Sequence, residues 1–414
     1  MKKILMLFTL FSLWFTSIEV SSAAEKQIKV LLDGQLQQYD QPPVIEKGST
    51  MVPFRGIFEA LGADIKVNGK IITATTDTTT IIHTIGTSTS KVNGETIEMA
   101  RPSFVKNSRT LVPLRFISEA LGAEVDWYSP ESTVYIFTNP EVKESAKKHY
   151  GKTAQQLKDE LAASSNGPLN DIEALLAVGA KYPNVFVWAA QYRNLDQIKL
   201  MLRYGTDANV LDSDGRTAMY YATAPSLKFR DSNGKLRNET EQQDLDLIKL
   251  LIENGADVNF LGKKVNHIAI QDPVYSQRFD TVKLLLESAA HITPLSKTEQ
   301  PILFYPIFDG AKEQKRNISM VKLLLEYGAD VNATYKHPGF GPLTPLAYAS
   351  IQFHVATKVE DGVLTESKAE PIDKELLKLL LDNGANPNDD VALKFANEAK
   401  DNEAIQILME ARNK

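Results

Sequence analysis

The chain is 414 residues long, with 46 Lys and Arg against 52 Asp and Glu, a net charge of −6 and no cysteine. Without cysteine there are no disulfides, thiolate metal ligands or thiol nucleophiles, so each domain must be stable on buried apolar area alone. The mildly acidic balance speaks against nucleic acid as the main partner, which would favour a basic face, and the length accommodates two or three domains of about 100–200 residues.

The first segment reads as an address. Lys2 and Lys3 precede an apolar run from Ile4 to Phe15 and a polar stretch ending Ser21-Ser22-Ala23-Ala24. This is the order of a secretory signal peptide, residues 1–24, cut after Ala24 with Ala23 as the alternative. The run is shorter than the roughly 20 apolar residues of a spanning helix, and no longer one follows. The expectation is an exported bacterial protein, secreted or associated with the cell surface, with no membrane span after cleavage.

Next comes a phrase written twice: STMVPFRGIFEALGADIKV at 49–67 and RTLVPLRFISEALGAEVDW at 109–127, offset by 60. Each copy reads as a strand running into a short helix. Phe54, Ile57, Phe58 and Leu61 fall on one helical face, and Leu114, Ile117 and Leu121 repeat the pattern. Pro53 and Pro113 are expected at the first helical position, and Gly62 and Gly122 just past the end. Arg55 and Glu59 are four apart, as are Arg115 and Glu119. These arginines can contact a ligand or form local surface ion pairs, and the second is the commoner use. Hairpin turns are expected at Asp33-Gly34, Asn68-Gly69 and Asn93-Gly94, and STVYIFT (132–138) supplies a closing strand. Neither half could cover its own sheet, so duplication provides the core.

These residues, with PPVI before the first copy and VNG between the copies, resemble the copper amine oxidase N-terminal-like (stalk) domain, over residues 26–138. The resemblance implies an exported, non-catalytic module. A copper site wants clustered imidazoles, often His-x-His. The six histidines (His83, His149, His267, His291, His337 and His354) are scattered, so no metal or cofactor is expected. Residues 139–167 are rich in helix formers and read as a helical linker or N-terminal cap, with Ser-Ser-Asn-Gly as a hinge.

A second repeat fills the rest: DLIKLLIENGADVN (246–259), DTVKLLLESAAHIT (280–293), SMVKLLLEYGADVN (319–332) and ELLKLLLDNGANPN (375–388). Weaker copies lie at 171–181 and 196–209, and 403–414 closes the series. Turn glycines fall at 179, 205, 255, 328 and 384, with Ala at 289. The steps are 26, 50, 34, 39 and 56 residues: one sits at the period of about 33 typical of ankyrin units, and the longer ones contain insertions. Those insertions, at 226–243 and 354–371, read as surface loops. In GPLTPLAYAS (341–350), Thr344 caps a helix, Pro345 opens it, and Leu346 and Ala349 turn inward. Val321, Leu324 and Leu325 are expected to form the buried stripe of a second helix. The region 168–414 is similar to ankyrin repeats, about six or seven units, the final one a capping repeat.

The fold class expected is multidomain: an α+β duplicated stalk domain followed by an all-α ankyrin-repeat solenoid. The Asp and Asn residues of the GADVN turns suit turn chemistry better than a calcium loop. No Gly-x-Ser-x-Gly elbow or phosphate-binding loop is present, and Trp188, Tyr220 and Tyr221 read as core. The chain is therefore read as a non-enzyme: a secreted scaffold whose ankyrin array offers a concave surface to a protein partner, with the stalk as spacer or surface attachment. The contact residues chosen are Asp212, Asp214, Arg216, Tyr335, Lys336 and His337. The alternatives are binding of a cell-wall polymer through the stalk, and an extracellular hydrolase lacking a recognisable motif.

Overall fold

The computed structural model describes residues 27–224, 241–263, 265, 268–293, 300–307, 317–352, 354–360, 363–369 and 371–414. The signal segment, most of the insertion at 226–243, and the side chains of Ile117, Glu119 and the 354–369 segment lie outside the described residues. The chain divides into two compact units, one up to Leu32 and over Leu36–Pro140, the other Asp33–Gln35 with Glu141–Lys414.

Strands β1 (Lys29–Leu32) and β2 (Gln35–Leu36) come first. The first copy of the doubled phrase folds as β3 (Val44–Glu46), β4 (Ser49–Pro53), α1 (Phe54–Ala60) and β5 (Asp64–Asn68). Strands β6 (Ile71–Thr75), β7 (Thr80–Thr84), β8 (Thr89–Val92) and β9 (Glu95–Glu98) continue from β5 as an antiparallel meander. The second copy gives β10 (Phe104–Lys106), β11 (Arg109–Pro113), α2 (Leu114–Ala120) and β12 (Glu124–Tyr128), closed by β13 (Thr133–Phe137). Strand β1 runs parallel to β13 in the sheet β12-β13-β1-β2.

The two copies pair with each other. In the sheet β10-β11-β4-β3, Met51 lies opposite Pro113, Val52 opposite Val112 and Pro53 opposite Leu111. At the offset of 60 this register maps onto itself, so a local two-fold passes between Val52 and Val112. Each helix packs on the central strand of the other copy as well as its own. Phe54, Ile57, Phe58, Val52, Val112 and Leu114 are buried in one shared core, which is why neither half suffices alone. The symmetry is not complete: Phe58 corresponds to buried Ser118, whose hydroxyl is satisfied by donating back to the Leu114 carbonyl at 3.2 Å.

Three local expectations shift. Pro53 and Pro113 end strands β4 and β11, and Pro53 (φ −59°, ψ 121°) stands at the helix N-cap, one place before the first helical position. The β5–β6 turn is Gly69-Lys70, because Asn68 pairs with Ile71; this register buries Ile72 and Ala74 and a one-residue slip would expose them. Asp33-Gly34 and Asn93-Gly94 do form the expected turns, with positive φ at both positions, as a type I′ turn requires. Gly62 closes α1 as expected: it donates to the Glu59 carbonyl at 3.0 Å, and Ala63 donates to Phe58 at 2.9 Å, a left-handed cap.

The second unit begins with α3 (Lys143–Ala146) and α4 (Ala154–Ala163), both packed on α5 (Leu169–Ala177). Leu157 and Leu161 of α4 are buried, and Thr153 and Gln156 cap it reciprocally, so this segment is an ordered part of that unit. Helix pairs follow: α6 (Pro183–Gln191) with α7 (Leu195–Arg203), α8 (Ala218–Thr223) with α9 (Glu241–Glu253), and α10 (Gln271–Tyr275) with α11 (Phe279–Glu287). After them come α12 (Phe304–Ile307) with α13 (Ile318–Glu326), α14 (Pro345–Ala349) with α15 (Lys374–Asp382), and α16 (Asp390–Glu398) with α17 (Asn402–Arg412). First helices stack on first helices (α6 on α8, α12 on α14, α14 on α16), and second on second (α5 on α7, α9 on α11, α13 on α15, α15 on α17).

Thr344 caps α14 by accepting from the Ala347 N–H at 3.0 Å, with Pro345 at the first helical position. In α13 the buried face is Met320, Val321, Leu323 and Leu324, while Leu325 is only half-buried. The stripe is wider than expected because this helix packs against α12 and α15. The insertion at 354–371 is not a plain loop: His354–Glu360 and Val363–Ala369 pair as an antiparallel hairpin. It follows a smaller one, Tyr335–His337 against Gly341–Leu343.

The Asp and Asn of the turns do structural work of two kinds. Asp207, Asp257 and Asp330 accept the N–H of the residue two places on, at 2.8–2.9 Å. The following Asn reaches the next repeat. Asn209 donates to the Gly255 carbonyl and accepts the Asp257 N–H; Asn259 does the same with Ala289 and His291, and Asn332 with Gly384 and Asn386, all within 2.8–3.1 Å. Buried Asp244 is held between Arg193 at 2.8 Å and Arg278 at 2.7 Å, with side chains 4%, 4% and 11% exposed. Arg278 also donates to the Thr223 carbonyl at the end of α8.

Candidate functional site

Among the described residues, an aromatic row on the repeat array and a pair of clefts in the N-terminal unit gather chemistry at the surface.

The aromatic row starts from short first helices, which leave room for rings from neighbouring repeats. Helix α12 sends Tyr305 to Tyr275 (centroids 6.1 Å, edge-on) and Phe304 to Tyr335 and Tyr348 (5.7 and 5.4 Å). His337 meets Tyr348 at 5.9 Å and Phe340 at 5.0 Å, and Phe340 meets Phe395 of α16 at 5.7 Å. Such offset and edge-on pairs are the favoured ring geometries. The inner rings, Phe304 and Tyr348, are buried, while Tyr275 and Phe340 stand 59% and 47% exposed. The row therefore has a rigid base and apolar tips in solvent.

The chosen contact residues divide. Tyr335, Lys336 and His337 share one strand of the small hairpin; Tyr335 and His337 are half-buried within the row and Lys336 points outward. Asp212, Asp214 and Arg216 share one turn in a different repeat. Asp212 is a correction: it is buried, and one carboxylate oxygen accepts the N–H groups of Asp214 and Arg216 at 2.9 Å while the other accepts the Tyr221 hydroxyl at 3.1 Å. Both of its carboxylate oxygens are engaged inside the fold. Burial together with this pairing raises the Tyr221 pKa. Asp214 remains exposed and Arg216 lies over the Tyr220 ring, 5.1 Å from its centroid. Sequence reasoning did not select Tyr275, Phe340 or Phe395. The one signal for Phe340 was an aromatic in a Pro-Gly-Phe-Gly loop tip, where no core would use it.

In the N-terminal unit the two-fold makes two clefts. The first, 590 Å³, lies between the Pro53-Phe54-Arg55 corner and the Ser108-Arg109-Thr110 end of the other copy. The second, 670 Å³, lies between Pro113-Leu114-Arg115 and Gly48-Ser49-Thr50. Twelve lining positions correspond at the offset of 60, while Ile45, Ile97 and Val134 line the second cleft alone. Their chemistry has diverged. The first is crossed by an ion pair, Arg109 with Asp40, whose hydrogen bond is 2.7 Å; the pairing lowers the Asp40 pKa and raises that of Arg109. Arg55 and Glu59 form the expected exposed pair at 3.9 Å. In the second cleft Ser49 and Ala100 replace the ion pair, and Trp127 replaces Val67.

Family models match both parts. Residues 31–136 match the copper amine oxidase N-terminal domain, and residues 310–336 match the ankyrin repeat. The chain joins a copper amine oxidase N-terminal domain to ankyrin repeats. Among solved structures it is similar to an ankyrin repeat domain from Acinetobacter baumannii AYE, 21% identical, with a TM-score of 0.39 over 55% of this chain and 96% of that one. It is also similar to a second ankyrin repeat protein, 20% identical, with a TM-score of 0.37 over 56% of this chain and 98% of that one. No curated protein matches the chain. Among the described residues of the amine oxidase N-terminal domain and the ankyrin repeats, no three His, Asp or Glu side chains converge as a metal ion would need. No helix described is long and apolar enough to cross a membrane.

Proposed function

We propose that this is a secreted, non-catalytic scaffold in which the ankyrin array binds a protein partner and the N-terminal domain serves as spacer or surface attachment. The observation that carries the reading is the aromatic row, with Phe340 and Tyr275 presented to solvent on a base of packed rings. Aromatic side chains held this way cost little entropy on binding and are enriched among the residues that dominate interfaces. Lys336, Asp214 and Arg216 would add polar contacts at the rim, where charge steers association more than it holds it. Export rests on the signal-like first 24 residues.

The test is capture from culture supernatant and surface extract by the full chain, beside a Tyr275→Ser/Phe340→Ser variant with an unchanged melting profile. A stoichiometric protein retained by the parent and lost by the variant is expected. Equal capture by both would remove the row from the interface, and no capture would overturn the reading.

A further inference from the structure

A pocket of 280 Å³ opens at the start of the repeat array, between Ser165-Asn166, in the turn from α4 to α5, and the corner joining α6 to α7. At that corner Asn194 caps α7, its Oδ1 accepting the Gln197 backbone N–H at 3.2 Å. A backbone N–H can only donate, so this bond fixes which end of the Asn194 amide is oxygen. Asn194 Nδ2 then donates to Gln197 Oε1 at 3.0 Å, which fixes the Gln197 amide in turn. Its Nε2, with two hydrogens, is the end left over, and no described residue accepts from it. Gln197 lines the pocket while only 3% exposed. A donor so nearly cut off from bulk water needs an acceptor.

The repeat fold does not require this group. Counted back eight places from the turn residue, the next four repeats have Leu247, Thr281, Met320 and Leu376, each 0% exposed. The rest of the lining limits what can enter. No lining side chain is charged, so an ion would lose its water without gaining a counter-charge, while a wholly apolar group would leave Nε2 unsatisfied. Half-buried Trp188, braced edge-on by Tyr182 at 5.8 Å, offers a flat wall. Asn166 and Gln191 add carboxamides, each able to donate and accept in one plane.

We propose that this pocket receives the uncharged carboxamide of an asparagine or glutamine side chain, carried by a peptide segment. That group is planar and neutral. Its carbonyl oxygen accepts from Gln197 Nε2, and its own NH₂ is left for the Gln191 or Asn166 oxygen. The volume falls at the lower edge of the usual range for ligand sites, about 300–1,000 Å³, and so suits one inserted side chain better than a row of sugar rings. The inference shares with the proposed function only the premise that the array meets a protein, and it makes no use of the aromatic row. Its test needs no captured partner, so either can fail without the other.

The test is ligand-observed NMR titration of the full chain with Gly-X-Gly peptides, capped by acetyl and N-methyl groups so that X carries the only primary amide. X is Gln, Asn, Glu or Met, and the disaccharide of N-acetylglucosamine is the competing class. The Gln or Asn peptide is expected to bind saturably, with the Glu and Met peptides about tenfold weaker or more. Gln197→Met should erase the preference for Gln over Met. If Gln197→Met does not fold, Asn166→Ala in the exposed turn takes its place, and a several-fold weakening of the amide peptide is expected. Four results would each overturn the inference: equal binding whatever X is, a preference unchanged in the variants, binding of the disaccharide alone, or no binding of any probe, which would leave the pocket to water.

Discussion

The ring edge of Tyr39 lies against Gly56, so closely that a Cβ added at Gly56 would meet it at 2.8 Å. At the offset of 60 the same two places hold Met99 and Phe116. The bulky aromatic sits before the hairpin in one copy and on the helix in the other, so the duplicated core was refilled differently on its two sides. Gly56→Ala is therefore expected to destabilise the N-terminal domain by about 1–3 kcal/mol, the usual cost of overpacking. Tyr39→Met in the same chain should recover most of it, because a flexible thioether can move where the ring cannot. Urea midpoints of the two single variants and the double variant check this; simple additivity would contradict it.

The Arg193–Asp244–Arg278 cluster predicts a larger effect. Asp244→Asn leaves two guanidinium groups, 4% and 11% exposed, without their shared counter-charge. Removing one partner of such a buried pair costs about 3–5 kcal/mol. Arg278 also ties down the end of α8, next to the 226–243 insertion, through the Thr223 carbonyl. Faster proteolytic cleavage near the end of α8 in Asp244→Asn than in the parent is the expected signature. Equal protease resistance would show that the cluster is not what holds this junction.

Much of this fold was legible in the sequence, for physical reasons that differ between its halves. The doubled phrase carries a strand, a helix and a glycine cap in a few residues, so its periodicity was readable. What it could not show is that the two copies pair through Val52 and Val112, because antiparallel register depends on contacts remote in sequence. The repeat turns were read as turn chemistry, and Asp207, Asp257 and Asp330 bear this out. The inter-repeat bonds of Asn209, Asn259 and Asn332 were invisible, since their partners lie 46, 30 and 52 residues on. Asp212 looked like an exposed loop acid because only the structure shows Tyr221 folding back over it. The aromatic row was missed because each ring comes from a different unit.

His83 makes the N-terminal domain sensitive to acid. The Thr89 carbonyl, which can only accept, faces His83 Nδ1 at 3.3 Å, so Nδ1 carries the ring hydrogen, shared with Ser90 at 2.8 Å. In the neutral ring Nε2 then accepts from the Ser103 hydroxyl at 2.7 Å, while Ser103 accepts the Gly86 N–H at 2.8 Å. The ring is neutral, and burial holds its pKa below the usual 6.5. A histidine with a depressed folded pKa gives stability that is full above its unfolded pKa and is lost as pH falls towards the folded value. The melting temperature of this domain should therefore decline below about pH 6.5, and His83→Gln should flatten that decline while lowering stability at pH 7. An equal slope in the variant would assign the acid loss to other groups.

Ala289 predicts a gain. It takes φ 61° where the equivalent glycines at 179, 205, 255, 328 and 384 take 78–95°. A residue with a Cβ pays about 1–2 kcal/mol for this left-handed conformation, while glycine adds unfolded-state entropy of about 0.4–1 kcal/mol. Ala289→Gly should therefore stabilise the array by about 0.5–1 kcal/mol net, without disturbing the Asn259 bond to the carbonyl of residue 289. The reverse change, Gly328→Ala, should cost a similar amount. Urea unfolding of both variants decides it. If Ala289→Gly gains nothing while Gly328→Ala loses, the 289 turn is relaxed by its own repeat and the strain argument fails there.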